Sequence, residues 1–332
     1  MTVDQGRPGE PGQPDQPDQH GPSEPARHVA VPDRVRALKR RVPAPLKAAA
    51  RRTVRGYGRL TSGSRSPPDF MIIGAKRGGT TSLWNYLVRH PEVLPLFPSL
   101  QQIKSPHYFD INYGRGLDWY RSHFPTRRRV AALRQAGGAA LCGEASPYYM
   151  FHPLAAERAA RTVPNVKAIV LLRNPVDRAY SHFNERRGSD DPVGHEPIAA
   201  FEEALRAEDG RLAGEVDRII ADPSYYSPGH DNGSYLARGR YLEHLRPWFD
   251  FFDREQLLVL LAEELYTDPG ATFGRVCDFL GLRPHGLESY PRYNFLPTSS
   301  MDPGTRKILL DYFRPHNAEL GEFLGRELPW NS

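Results

Sequence analysis

A three-layer α/β fold, a central parallel sheet flanked by helices, is the class that this 332-residue chain predicts. Three observations carry it. Short, mostly apolar runs at Phe70 to Ile73, Ala139 to Glu144, Val166 to Leu172 and Gln256 to Leu261 have the length of strands buried on both faces. Helical patterns separate these runs, and strands that alternate with helices specify a parallel sheet. The first run ends in a basic, glycine-containing loop that opens a helix, which is where such sheets hold anions.

The elements follow in order. Residues 1–33 are rich in Pro, Gly, Asp and Gln, with almost nothing to bury, and read as a disordered tail. Residues 34–65 form a basic, partly helical arm, broken near Pro43 and Pro45. The globular domain occupies 66–332. Its first helix runs on through Asn85 to His90, with Leu83 and Leu87 on the inner face, and a loop rich in Pro and aromatics covers Pro91 to Phe124. Pro175 suits the first turn of a helix that Val176 to Arg187 continue. A mobile, substrate-side insertion is expected at about 188–233, with one helical stretch from Pro197 to Glu208. Further helices are expected at Tyr235 to Phe251, Pro269 to Leu280 and Pro303 to Leu324.

Charge and composition narrow the function. The net charge of +5 is unevenly spread: residues 34–59 hold ten Lys or Arg and no acid, whereas 60–332 hold 32 basic against 33 acidic residues. No nucleic-acid partner is therefore expected for the core, and a weak contact with an anionic surface is confined to 34–59. There is no apolar run of about 18 residues that would span a membrane. The start of the chain lacks the apolar stretch of a secretory signal, and Cys142 and Cys277 alone make no disulfide framework. A cytoplasmic placement is the expectation, and the Arg, Ala, Gly and Pro bias suits a GC-rich bacterial genome.

The chemistry concentrates at two strand ends. Gly74-Ala75-Lys76-Arg77-Gly78-Gly79-Thr80 nearly spells the P-loop G-x-x-x-x-G-K-[ST], but Thr80 stands where the lysine that reaches the β- and γ-phosphates belongs. The fold is thus P-loop-like, while the loop is poorly suited to ATP or GTP hydrolysis. Its positive charge sits instead at Lys76 and Arg77. Gly78 and Gly79 leave backbone N–H groups uncovered, and Thr80, Thr81 and Ser82 bring hydroxyls to the start of the helix. Arg173, at the end of the third run, and Ser181, two turns into the next helix, form a second candidate anion site. No metal is called for, since no His/Cys ligand spacing is present.

These residues resemble the sulfotransferases that use 3′-phosphoadenosine 5′-phosphosulfate (PAPS), most closely the branch containing the heparan sulfate sulfotransferases and many bacterial relatives. Gly74 to Leu83 resembles that family's 5′-phosphosulfate loop, and Leu171-Leu172-Arg173-Asn174-Pro175-Val176-Asp177-Arg178-Ala179-Tyr180-Ser181 its 3′-phosphate motif. Further matches are His107-Tyr108-Phe109-Asp110, Gly116-Leu117-Asp118-Trp119-Tyr120, Gly143-Glu144 with Pro147 and Tyr148, Tyr241 to Leu245, and Asp268-Pro269. The resemblance spans about 67–330. It implies PAPS as donor and PAP as product, and a hydroxyl, less readily an amine, of a carbohydrate or secondary metabolite as acceptor. By the same resemblance Lys76, Arg77, Gly78, Gly79, Thr80, Thr81, Ser82, Arg173 and Ser181 hold the donor, and Arg77 or Lys76 meets the leaving oxygen.

The chain departs from the family at two places. The branch commonly carries a Glu base in a Lys/Asn-Glu-x-His-Phe-Phe-Asp segment, and Ser105 occupies that position here. His107, oriented by Asp110, is then the candidate base, with His182 and Glu144 as lesser candidates. The C-terminal nucleotide contact of animal relatives is also absent, and Arg306 or Lys307 is the candidate replacement. A P-loop kinase or NTPase, or a non-catalytic nucleotide-binding protein acting through its basic arm, are the alternatives.

Overall fold

The run Phe70–Gly74, strand β1, is buried along its whole length, as a strand covered on both faces must be. It sits at the centre of a five-stranded sheet in the order β2-β3-β1-β4-β5, where β2 is Val93–Leu94, β3 Leu141–Ala145, β4 Lys167–Leu172 and β5 Leu257–Leu261. Every pairing is parallel, with Phe70 opposite both Gly143 and Lys167, and Leu172 opposite Leu261. The chain leaves β1 toward one edge and returns past it to the other. This puts the carboxyl ends of β1 and β4 side by side at the switch point where ligands bind. The computed structural model describes residues 53–98, 104–294 and 300–330. The tail at 1–33 and most of the arm lie outside them, and the arm's described end is helical over 53–60. Among the described residues no helix is long and apolar enough to cross a membrane.

The four expected strands are present. The fifth, β2, falls inside the segment read as loop, because two residues are too few to show a period. Helix α1, Thr80–Leu87, is buried on all sides, between the sheet and the segment 283–294, which Tyr86 Oη meets by donating to the Pro291 carbonyl at 3.0 Å. Helix α2, Pro175–Arg187, starts where expected: Pro175 needs no N–H partner, and the Asn174 side chain accepts from the Val176 N–H at 3.0 Å. Pro269–Leu280 and Pro303–Leu324 also match. Asp268 and Asp302 cap their first turns, and Gly281 and Gly325 close them in the left-handed region.

The insertion is more structured than expected. It forms helices at Phe201–Leu212, Glu215–Ala221 and Pro228–Asn232. Phe201, Ala204 and Tyr235 pack with Val176, Ala179 and Phe183 of α2 and with Leu309 and Phe313 of the last long helix, which makes a second core beside the sheet. The buried Glu208 carboxylate accepts from the N–H groups of Tyr235, Leu236 and Ala237 at 2.7–2.8 Å. The helix expected from Tyr235 begins only at Tyr241, after a single 3₁₀ turn at Ala237–Gly239, and runs to Phe251.

Candidate active site

The loop between β1 and α1 is pressed against β4. The Ala75 N–H donates to the Leu171 carbonyl at 2.8 Å, and a Cβ on Gly78 would lie 2.3 Å from that same oxygen. Arg77 (φ 71°) and Gly79 (φ 93°) both adopt left-handed backbone to swing the chain into α1. Glycine does so freely; an arginine there carries strain of the kind found at functional sites. Thr80, Thr81 and Ser82 open the helix, so their N–H groups are the unpaired donors of a first turn and face the chain's entry with the positive end of the helix dipole.

A cavity of about 270 Å³ lies over this loop, and Lys76, Arg77, Gly79, Thr80 and Thr81 form one wall of it. Arg173, Tyr180 and Ser181, from the β4–α2 junction, form the facing wall. The two walls touch: Arg77 Nε donates to Ser181 Oγ at 3.0 Å, and Arg173 Nη1 to the Arg77 carbonyl at 3.4 Å. The two loop cations differ in what holds them. Lys76 Nζ is committed to the insertion, at 3.1 Å from the Asp231 carbonyl, 3.3 Å from Asp231 Oδ1 and 3.1 Å from Asn232 Oδ1. Among the described residues Arg77 makes the Ser181 bond, a 3.3 Å bond to the Asn294 carbonyl and a looser approach to Glu185. Burial lowers both cations from their ordinary values, Lys76 to about 8.

Some expected site residues are not brought to the cavity. Ser82 is fully buried, and its hydroxyl accepts from the Tyr293 N–H at 3.0 Å, so it anchors the 283–294 segment instead of facing an anion. The Gly78 N–H is taken by the Ala75 carbonyl at 2.8 Å, so this glycine serves the close approach to β4 and offers no donor. His107 does not line the cavity. Its segment, with φ 52° at His107, is tied down from below: Glu144 accepts from Tyr120 at 2.6 Å, Ser146 at 2.6 Å and Tyr149 at 3.0 Å. Ser146 and Tyr149 in turn accept from the His107 and Tyr108 N–H groups at 3.1 and 2.8 Å. Burial alone would lower the His107 imidazole. The Asp110 carboxylate, 2.8 Å from Nδ1, overrides this and raises it. Glu144 is a buried anchor pushed up to about 7 by desolvation, and His182 is fully buried with both ring nitrogens unpartnered among the described residues. Arg306 is held by Asp177 at 2.7 Å, at the rim.

Other residues complete the cavity. Lys104 reaches it from the loop after β2, donates to Thr81 Oγ1 at 2.8 Å and is lowered to about 8 by burial. Arg292 lines it and sits 4.4 Å over the Tyr266 ring, which makes Arg292, not Arg306, the C-terminal cation at the site. Glu185 lines it too, one turn beyond Ser181 on α2. In the sequence Lys104 stands next to Ser105, while Glu185 and Arg292 carry no local signal.

The Sulfotransferase domain family matches residues 67–294. The chain belongs to that family. It is 31% identical over 289 residues to a human protein named bifunctional heparan sulfate N-deacetylase/N-sulfotransferase 3, a match covering 79% of this chain and 31% of that relative. It is 25% identical to a membrane-associated sulfotransferase of Dictyostelium discoideum, over 80% of this chain and 67% of that one. This sulfotransferase therefore spans under a third of the length of its heparan sulfate relatives. Among solved structures, a sulfotransferase from Alicyclobacillus acidocaldarius superposes with a TM-score of 0.57 at 28% identity, covering 80% of this chain and all of the other. The central parallel sheet flanked by helices matches that of its sulfotransferase neighbours.

Proposed function

We propose that this sulfotransferase carries a sulfuryl group from PAPS to a carbohydrate hydroxyl or amine. The observation that carries the reading is the Arg77–Ser181 contact at 3.0 Å, which joins two anion-binding walls in one cavity. A donor with a 5′-phosphosulfate and a 3′-phosphate needs two such walls and no γ-phosphate lysine. The fit is local: α1 presents unpaired N–H groups beside Thr80 and Thr81, and Arg173 and Ser181 stand across from them.

PAPS supplies the activated sulfuryl group, and the protein's task is to position the acceptor, receive its proton and neutralise charge on the leaving phosphate oxygen. Arg77 takes the last role, because Lys76 is turned to the Asp231 carboxylate and carbonyl and to Asn232, while Arg77 reaches across the cavity to Ser181. Lys104 adds a second cation from the opposite side. The heparan sulfate relatives favour a carbohydrate acceptor; a cytoplasmic location remains part of this proposal.

Titrating the protein with PAP by calorimetry, and following sulfur-35 transfer from PAPS to a heparan oligosaccharide with free glucosamine amines and to its N-acetylated counterpart, tests both parts. Micromolar PAP binding with label in either sugar is expected. Absence of PAP binding would refute the donor assignment; binding without label in either sugar would refute the acceptor class alone.

A further inference from the structure

We infer that Glu185 is the general base of this enzyme, taking the place of the carboxylate that Ser105 lacks. The inference rests on the donor site proposed above. Two carboxylates line the cavity beside Lys76, Arg77, Lys104 and Arg173: Asp177, which Arg306 engages at 2.7 Å, and Glu185. Electrostatically Glu185 opposes the donor, so its presence calls for a role toward something other than a phosphate.

Its bonding state agrees. Oε1 lies 3.5 Å from Arg77 Nη1 and 3.5 Å from Arg186 Nη2, too long for good hydrogen bonds, and Oε2 is buried with no partner among the described residues. Buried carboxylates that serve structure behave differently. Glu196 and Glu208 in this same protein each accept three or more hydrogen bonds at 2.6–3.0 Å. Among the described residues Glu185 and Glu263 each keep one buried oxygen without a hydrogen-bond partner, and of the two only Glu185 lines the cavity, on the helix that also carries Ser181.

The position suits the chemistry. As the acceptor O–H or N–H attacks sulfur, the new bond to sulfur forms and the bond from sulfur to the bridging phosphate oxygen breaks, its electron pair leaving with the phosphate. The acceptor's proton passes to the Glu185 carboxylate, and Arg77, 3.5 Å from that carboxylate, faces the departing oxygen. One side chain thus receives the proton while its neighbour receives the charge. His107 is not among the residues lining the cavity, and its Nδ1 is engaged by Asp110 at 2.8 Å.

The test is Glu185→Gln, which keeps the shape and removes the base. PAP affinity is read by calorimetry, and PAP release from PAPS is read with the free-amine oligosaccharide and with water alone as acceptor. The expected result is a 100-fold or greater loss of kcat, within the range of about 10²–10⁴ for general-base removal, with PAP binding unchanged or tighter. Turnover within a few-fold of wild type, or a loss of PAP affinity that accounts for the whole defect, would overturn the assignment; the latter would mean that Glu185 only orients Arg77. Wild-type protein that fails to bind PAP would instead refute the donor site on which the inference stands. Glu185→Asp serves as the conservative variant, and its partial recovery of kcat is expected.

Discussion

Gly78→Ala tests the loop that the whole site rests on. The added methyl would lie 2.3 Å from the Leu171 carbonyl oxygen, 3.0 Å from that of Ala75 and 3.3 Å from the Leu171 carbonyl carbon, all backbone atoms of the sheet and its turn. None can rotate away, so the loop must lift off β4. Overpacking of this kind costs about 1–3 kcal/mol, and the lift strains two 2.8 Å hydrogen bonds, Ala75 N–H to Leu171 and Gly78 N–H to Ala75, worth about 0.5–1.5 kcal/mol each. A destabilisation of roughly 2–4 kcal/mol is expected in urea unfolding. PAP affinity should fall at least tenfold, because Thr80 and Thr81 move with the loop. Gly274→Ala, in a helix with nothing within 4 Å of the new methyl, is the control and should stabilise by about 0.5–1 kcal/mol. A Gly78→Ala protein with wild-type stability and PAP affinity would refute the claim that contact with β4 shapes the anion site.

Three other outcomes follow from the cavity. Lys104 and Lys76 are lowered to about 8, so PAP affinity should fall as pH rises through about 8, and Lys104→Met should weaken PAP binding at pH 7 and flatten that dependence in calorimetry. The stability sign is opposite: between about 8 and the ordinary 10.5 the unfolded chain holds protons that these buried lysines have released, so the unliganded protein should gain stability over that window. Arg292→Ala should weaken PAP binding about tenfold or more, whereas Arg306→Ala should leave it within a few-fold, since Arg306 is spent on Asp177. Glu144→Ala leaves the buried hydroxyls of Tyr120, Ser146 and Tyr149 without their acceptor and should cost about 2–4 kcal/mol in denaturant unfolding.

What could be read from the residues was whatever they signal locally. β1, β4 and β5 are apolar runs, and Pro175, Pro269 and Pro303 mark helix starts whatever packs on them. The two anion walls were legible for the same reason: glycines, hydroxyls and an arginine at strand ends are short-range features. Ser82 shows the limit. It shares the hydroxyl signature of Thr80 and Thr81, but a helix turns about 100° per residue, and the third hydroxyl points into the protein, to Tyr293. Lys104, Glu185 and Arg292 reach the cavity from a loop, from one turn further along α2 and from a segment some 200 positions away, so nothing local marks them. The length of the insertion's helices was hidden likewise, since its apolar residues answer to α2 and to the last helix rather than to a period of their own.

The near-neutral balance of residues 60–332, 32 basic against 33 acidic, is consistent with a site for a multiply charged donor because the cations are placed rather than accumulated. Before any donor arrives most of them already have partners. Lys76 has Asp231 and Asn232, Arg77 has Ser181, Lys104 has Thr81, and Arg306 has Asp177. Such pairing keeps buried charges tolerable, since an unpaired buried cation would cost several kcal/mol. It also means that donor binding exchanges one set of contacts for another, with affinity set by the difference. The contacts most readily exchanged are those to neutral hydroxyls, Arg77 to Ser181 and Lys104 to Thr81. Lys76 is the counter-case: its three contacts bind the loop to the insertion at 231–232 and resist exchange. The same loop therefore ties one cation to the insertion and turns the other across the cavity to Ser181, and the two adjacent positions that looked interchangeable in the sequence are separated by what the insertion supplies to only one of them.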